Sequence, residues 1–370
     1  MGIEQSSRLI EIFIDLVSID AVSGQEKPVA DYIRSFLDKL GVNVIEDGAG
    51  EKSGGNSGNL IASVPGTGDH SLVAFMAHMD TIQSTAGVHP VVDDGMIRSD
   101  GRTILGADNR AGIAIILYAI ESLKENSVNS SPFEAIFTIG EETGLFGSTH
   151  LELRKMQSRT IFILDSSASP GSYVLIAPGA YEFEINLIGK TSHAAVNPQN
   201  GVNALKMAGE LIHRIQLGQV DDATTFNFGK IIGGEANNLV PSKINLSGEI
   251  RSLKSNSFDH HFQHLEKVLE SIIMQHNGSY NISKREAFPG YQLSEDSATI
   301  KKLYQSMKKL GLKPLPLKYK GGSDANILNN RGLHAVNLGI GAKKPHSPNE
   351  FIKVSDMAIM SDLVCDLVNH

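Results

Sequence analysis

The sequence predicts an α/β protein built on a mostly parallel sheet and interrupted by a smaller α+β module. Three observations carry this reading. Apolar runs at 72–77, 133–139 and 160–164 have the character of strands, and the last two are apolar but for Glu134 and two threonines, as strands buried on both faces tend to be. A helical pattern at 111–125 separates the first two runs, an order that implies parallel strands joined by right-handed crossovers. Near residue 178 the pattern changes to alternation, as in YEFEINLIGK at 181–190, which marks a strand with one wet face.

The elements follow in chain order. Leu9, Ile10, Ile12, Phe13, Leu16 and Val17 keep helical spacing behind Ser6 and Ser7, two candidate caps. GAGEKSGGNSGN at 48–59 is rich in Gly and Ser and reads as a mobile surface loop. The three strands and their helix come next. The second module opens with the strand at 181–190. A helix at about 201–216, strands at 224–232 and 243–253, an amphipathic helix at 257–276 and a strand at 282–288 complete it. The α/β pattern then resumes with a helix at 297–310, a strand in HAVNLGIG at 334–341 and a closing helix at 355–369. The expected organisation is one domain made of 1–177 and 289–370, with 178–288 inserted into it.

The chain has 370 residues and a net charge of −8, with no basic block longer than two residues. Nucleic acid and anionic membranes are therefore poor partners. Cys365 is the only cysteine, so no disulfide forms within one chain, and its setting, VCDLV, suits core packing rather than a reactive thiol. No basic leader precedes an unbroken apolar core, and no apolar stretch is long enough to span a bilayer, so a cytoplasmic protein is expected. Met1-Gly2 through Ser6 matches the acylation pattern Met-Gly-x-x-x-Ser, a match loose enough to arise by chance.

Acids and histidines end the apolar runs: His78 and Asp80 in AFMAHMD, Asp108 in ILGADNRAG, Glu141 and Glu142 in IFTIGEETG, Asp165 in IFILDSS, and His346 in KKPHSPNE. In a parallel sheet the active site lies beyond the carboxyl ends of the strands. Carboxylates converging there are costly unless cations compensate them, and a pair of divalent metal ions does so economically. His78 and Asp80 are two apart and share a face of an extended chain, so Asp80 can accept from the imidazole or orient it. Asp108 opens a helix, and its two oxygens suit a bridge between cations. Of Glu141 and Glu142, one can bind metal while the other stays free as a base. His260, His261 and His264 in HHFQH, and His213, read as exposed helix faces.

Taken together, the motifs resemble the M20 family of dizinc peptidases, in particular its peptidase T-like, aminotripeptidase branch. They are AHMDT (77–81), GADNRAGIA (106–114), GEETGLFGS (140–148), LDSS (164–167), KTSHAA (190–195), NNLVPSKINLSGEIRS (237–252), GGSDAN (321–326) and PHSPNE (345–350). The resemblance implies a zinc-exopeptidase catalytic domain with an inserted lid, and two Zn2+ per subunit, with Co2+ or Mn2+ as possible substitutes. It implies that His78 and Asp165 each bind one metal, Asp108 bridges both, and Glu142 and His346 hold the second. Glu141 would be the general base and Asp80 the residue orienting His78. His193 would polarise the scissile carbonyl, Asn238 would contact substrate, and Arg251 would grip its carboxylate. A cis peptide is implied at Asp108-Asn109. Asn109 and Ser323 depart from the aspartate and threonine usual in the family. The expected activity is removal of the N-terminal residue from short peptides, by a monomer or a lid-mediated homodimer. The alternatives are a deacylase or carboxypeptidase acting on N-acyl amino acids, and a catalytically silent peptide-binding protein.

Overall fold

A computed structural model describes residues 3–68, 72–126, 130–254 and 257–369. Met1 and Gly2 of the acylation pattern lie outside the described residues. The chain divides into two compact units, one of Met1–Leu175, Gln292–Tyr319 and Ser323–His370, the other of Ile176–Tyr291 and Lys320–Gly322.

In the first unit four strands run parallel in the spatial order Phe133–Thr138, Val73–His78, Thr160–Ser166 and His334–Gly339. Two antiparallel strands, Leu60–Val64 and Asn43–Glu46, extend the sheet beyond Phe133–Thr138. The sheet is thus parallel at its centre, where both faces are covered, and antiparallel where it thins toward its edge. Phe75 lies between Phe133 (5.7 Å, edge-on) and Phe162 (5.9 Å, stacked), so the central strands lock through aromatic contacts.

The helix Ala107–Glu125 packs on the Val73–His78 strand, and the helices Ile3–Val17 and Val354–Val368 pack on that helix in turn. A Cβ on Gly112 would meet Leu164 O and Asn109 Oδ1 at 2.3 Å each, so only glycine lets this helix press on the strand that carries Asp165. Cys365 sits in the closing helix, and burial pushes its thiol up to about 12. A thiol held protonated is inert, as packing use requires.

The structure departs from the sequence reading at two places. The first helix begins at Ile3, so Ser6 and Ser7 lie within it rather than before it. The segment 48–59 is not a loop throughout. Ala49–Ser53 forms a helix with Ala49 and Gly50 buried, and Asp47 accepts N–H bonds from Ala49 (2.9 Å) and Asn59 (3.0 Å). Its glycines serve close packing: a Cβ on Gly58 would meet Asp47 O at 2.2 Å.

The second unit is a fully antiparallel sheet in the order Gly218–Gln219, Thr224–Gly233, Lys243–Ser252, Gly179–Ile188 and Ser279–Phe288. Helices Ala204–Arg214 and Phe258–His276 bury Leu211, Phe262, Leu265 and Leu269 against it around Phe183, Ile185 and Leu246. His260 and His264 are exposed on this second helix, and His261 lies 3.6 Å from Asp221, an ordinary surface pair.

Candidate active site

All the candidate metal ligands belong to the first unit and meet at the carboxyl ends of its parallel strands. His78 is the last residue of its strand and is buried. Its Nδ1 lies 3.0 Å from Asp80 O and 3.3 Å from Asp80 Oδ1. Its Nε2 therefore faces outward, 3.1 Å from Asp108 Oδ1 and 3.4 Å from Asp165 Oδ1. Burial opposes a charge on this ring, and the bonds to Asp108, Asp165 and Asp80 outweigh it, raising the imidazole well above its usual range. The position such a proton takes at Nε2, between two carboxylate oxygens, is one that suits a cation.

Asp80 is fully buried and held by three further donors: Ser23 Oγ (2.6 Å), Glu141 N (3.1 Å) and Glu142 N (3.1 Å). Burial works against its charge, yet these donors and His78 hold it below the usual carboxylate range. One side chain thus fixes both the His78 ring and the turn bearing the two glutamates. That turn follows the Phe133–Thr138 strand, and Gly140 enters it at φ 55° with its N–H donated to buried Glu26 Oε1 (3.0 Å).

Asp108 and Asn109 have non-helical dihedrals at the start of Ala107–Glu125, and the peptide bond joining them is cis. His346, in a loop at φ 61°, completes the cluster. Its Nε2 lies 2.9 Å from Glu142 Oε1 and 3.4 Å from Asp108 Oδ2, and these two acids push it up to about 10. A non-glycine residue in this region costs about 1–3 kcal/mol, a strain that recurs at functional sites.

The arrangement is two-fold. Asp108 Oδ1 and Asp165 bracket one imidazole, while Asp108 Oδ2 and Glu142 bracket the other. Ligand atoms of His78, Asp108 and Glu142 all lie within 4.8 Å of one another. Glu142 Oε1 is buried and faces His346 Nε2 at 2.9 Å. Burial raises Glu142 and Asp165, and burial followed by neighbouring charge raises Glu141 well above its range. Oxygen and nitrogen donors crowded with too few protons fit divalent cations of the zinc, cobalt or manganese type.

Several supports were not foreseen. Asn109 Nδ2 and Asn337 Nδ2 donate to the two oxygens of Asp165, at 3.1 and 3.2 Å. The departure at Asn109 thereby acquires a role, since an aspartate has no proton to give. Asp324 accepts from Thr138 Oγ1 (2.7 Å), and burial pushes it up to about 6. Ser323 and Asn326 form a capping box for Asp324–Asn330, so the serine replaces threonine without loss of function as a cap.

The expected substrate residues lie in the second unit. Ala194 N donates to Asn238 O (2.9 Å), and His193 bridges Leu239, so the two motif loops are joined. His193 Nδ1 accepts from Ala195 N and Val196 N, both at 3.2 Å. With Nδ1 accepting, Nε2 is the ring nitrogen left to donate. Arg251 donates from Nε to Glu249 (3.1 Å) and stacks 5.6 Å from the Phe288 ring centre.

A parallel sheet with paired imidazoles and carboxylates at its strand ends, in a chain that also carries an antiparallel module, is the arrangement of a metal-binding hydrolase. The model of peptidase family M20/M25/M40 matches residues 74–370, and the chain belongs to that family. It is 32% identical to the Bacillus subtilis (strain 168) protein YqjE over 98% of each chain. The crystal structure of a Staphylococcus aureus tripeptidase superposes with a TM-score of 0.93 at 32% identity, covering 98% of both chains. That of aminopeptidase PepT from Bacillus cereus gives 0.89 at 32% identity and the same coverage. Among the described residues no helix is long and apolar enough to cross a membrane.

Proposed function

We propose that this peptidase removes the N-terminal residue from short peptides, using two divalent cations, zinc by preference. His78, Asp108 and Asp165 would hold one; Asp108, Glu142 and His346 the other. The observation that carries the reading is the bracketing of each imidazole by its own acid together with one oxygen of Asp108. Likeness to a tripeptidase and an aminopeptidase supports the choice of substrate.

Cations held there would lower the pKa of a water toward about 7 and polarise the scissile carbonyl. Glu141 accepts the proton of the attacking water and returns it to the leaving nitrogen. Asp80 keeps the Nδ1 side of His78 occupied, which leaves Nε2 as the atom that would hold a cation. In the second unit, proposed to act as a lid, His193 donates from Nε2 to the carbonyl oxygen as charge develops. Asn238 contacts the peptide backbone, and Arg251 receives the far carboxylate, which restricts the substrate to short lengths.

The deciding experiment compares a tripeptide bearing a free N-terminus with its N-acetylated twin. Release of the first residue from the free form alone is expected. Cleavage of the acetylated form alone would replace this reading with a deacylase or carboxypeptidase. Arg251→Ala should raise KM for free-acid substrates roughly 10–100-fold, the worth of a charge-assisted bond. An equal rise for C-terminally amidated peptides would contradict the carboxylate grip.

Metal removal should show a signed pH dependence. Glu141, Glu142 and Asp165 are raised, and Asp324 is raised to about 6. Their contribution to stability is complete below the ordinary carboxylate pKa of about 4 and is lost as pH rises through the folded values. Asp80 and Asp108 are shifted downward, so their contribution is lost only in acid. The chelated protein should therefore weaken from pH 5 to 8, while cations replace the missing protons in the loaded protein. The Tm gap between the two should widen over that range. A gap independent of pH would argue against cations at this cluster.

A further inference from the structure

We infer that Glu350 is a positioning residue that fastens the bridging aspartate to the loop bearing His346; the inference rests on the two-cation reading above. Glu350 is 1% exposed. Its Oε2 accepts N–H bonds from Leu105 (2.9 Å) and Gly106 (2.8 Å), and its Oε1 accepts from Asp108 N (3.0 Å). Glu350 N donates to Ser347 O (3.0 Å), and Ser99 N donates to Glu350 O (3.3 Å).

A helix start leaves N–H groups without intrahelical partners. Here the N-cap is Gly106, at φ 76°, which has no side chain to receive them. Glu350 supplies the acceptor from a segment 242 positions away from Asp108. The same short loop carries His346, so one carboxylate sets the spacing between two proposed ligands. A cap alone would not need a glutamate: asparagine or serine caps as well, without a second negative charge beside Asp108. Two oxygens, however, can take all three N–H bonds together, which a single amide oxygen cannot do in this geometry. The backbone of Asp108 is thereby held where its Oδ1 faces His78 and its Oδ2 faces His346.

The test uses the full chain, chelated and then titrated with Co2+, and reads the visible absorption bands alongside calorimetric affinity. Glu350→Gln should weaken Co2+ binding about 10–100-fold, as loss of a group supporting a ligand does. It should also alter the absorption bands and lower kcat more than it raises KM. Should Glu350→Gln fail to fold, Glu350→Asp keeps the charge with a shorter reach, and a smaller loss of affinity is expected. Wild-type affinity and bands in whichever variant folds would overturn the inference, even if its chelated form melts earlier. Wild-type protein binding fewer than two Co2+ would overturn the two-cation reading itself, and this inference with it.

Discussion

Glu141→Gln lowers kcat by about 10²–10⁴-fold, the usual worth of a positioned general base, and leaves metal content unchanged. The expectation follows from the division of labour in the turn after the Phe133–Thr138 strand. Both glutamates are anchored through their backbone N–H groups on Asp80, and Glu142 pairs with His346 at 2.9 Å. Burial first, then the charges of Asp165, Asp324 and Glu142, favour a proton on Glu141, with His78 pulling the other way. Cations beside it would draw that affinity down toward the range where a base both takes and returns a proton. Glutamine keeps the shape and removes the proton acceptor. The check is kcat on a saturating tripeptide together with metal analysis of the same sample. Activity above a tenth of wild type would place the base elsewhere. Loss of metal would exchange the roles of Glu141 and Glu142.

The cluster at the strand ends was legible because each of its strands announces itself. An apolar run that stops at an acid or a histidine leaves few places for the side chain, so His78, Glu141, Glu142 and Asp165 could be put at one end of one sheet. The residues that hold them could not be read this way. Ser23 reaches Asp80 from 57 positions away, Asn337 reaches Asp165 from 172, and Glu350 reaches Asp108 from 242. Each, taken alone, is an ordinary loop or strand residue, and only tertiary proximity gives it a task. The antiparallel edge at Asn43–Glu46 and Leu60–Val64 was hidden for a related reason. The Gly- and Ser-rich stretch between them has the composition of a loop, but its glycines answer to contacts such as Gly58 against Asp47 O, which composition does not encode.

Asp108→Asn should abolish turnover to a lower residue than Glu141→Gln and reduce bound metal from two ions to one or none. Among the described residues Asp108 is the one whose two oxygens face both histidines, at 3.1 Å from His78 and 3.4 Å from His346. Asparagine presents one acceptor and one N–H2 group. Whichever way the amide turns, a donor faces one of the two positions, where it repels a cation and leaves the facing imbalance of charge uncorrected. The backbone bond from Asp108 N to Glu350 is untouched, so the helix start should hold and the variant should fold. The effect therefore separates charge from architecture. Metal analysis by atomic absorption, with Tm measured before and after adding Zn2+, makes the check. A variant that still binds two ions and gains the wild-type increment in Tm would show that the cations do not share this carboxylate. The two-fold bracketing of the imidazoles would then need a different explanation.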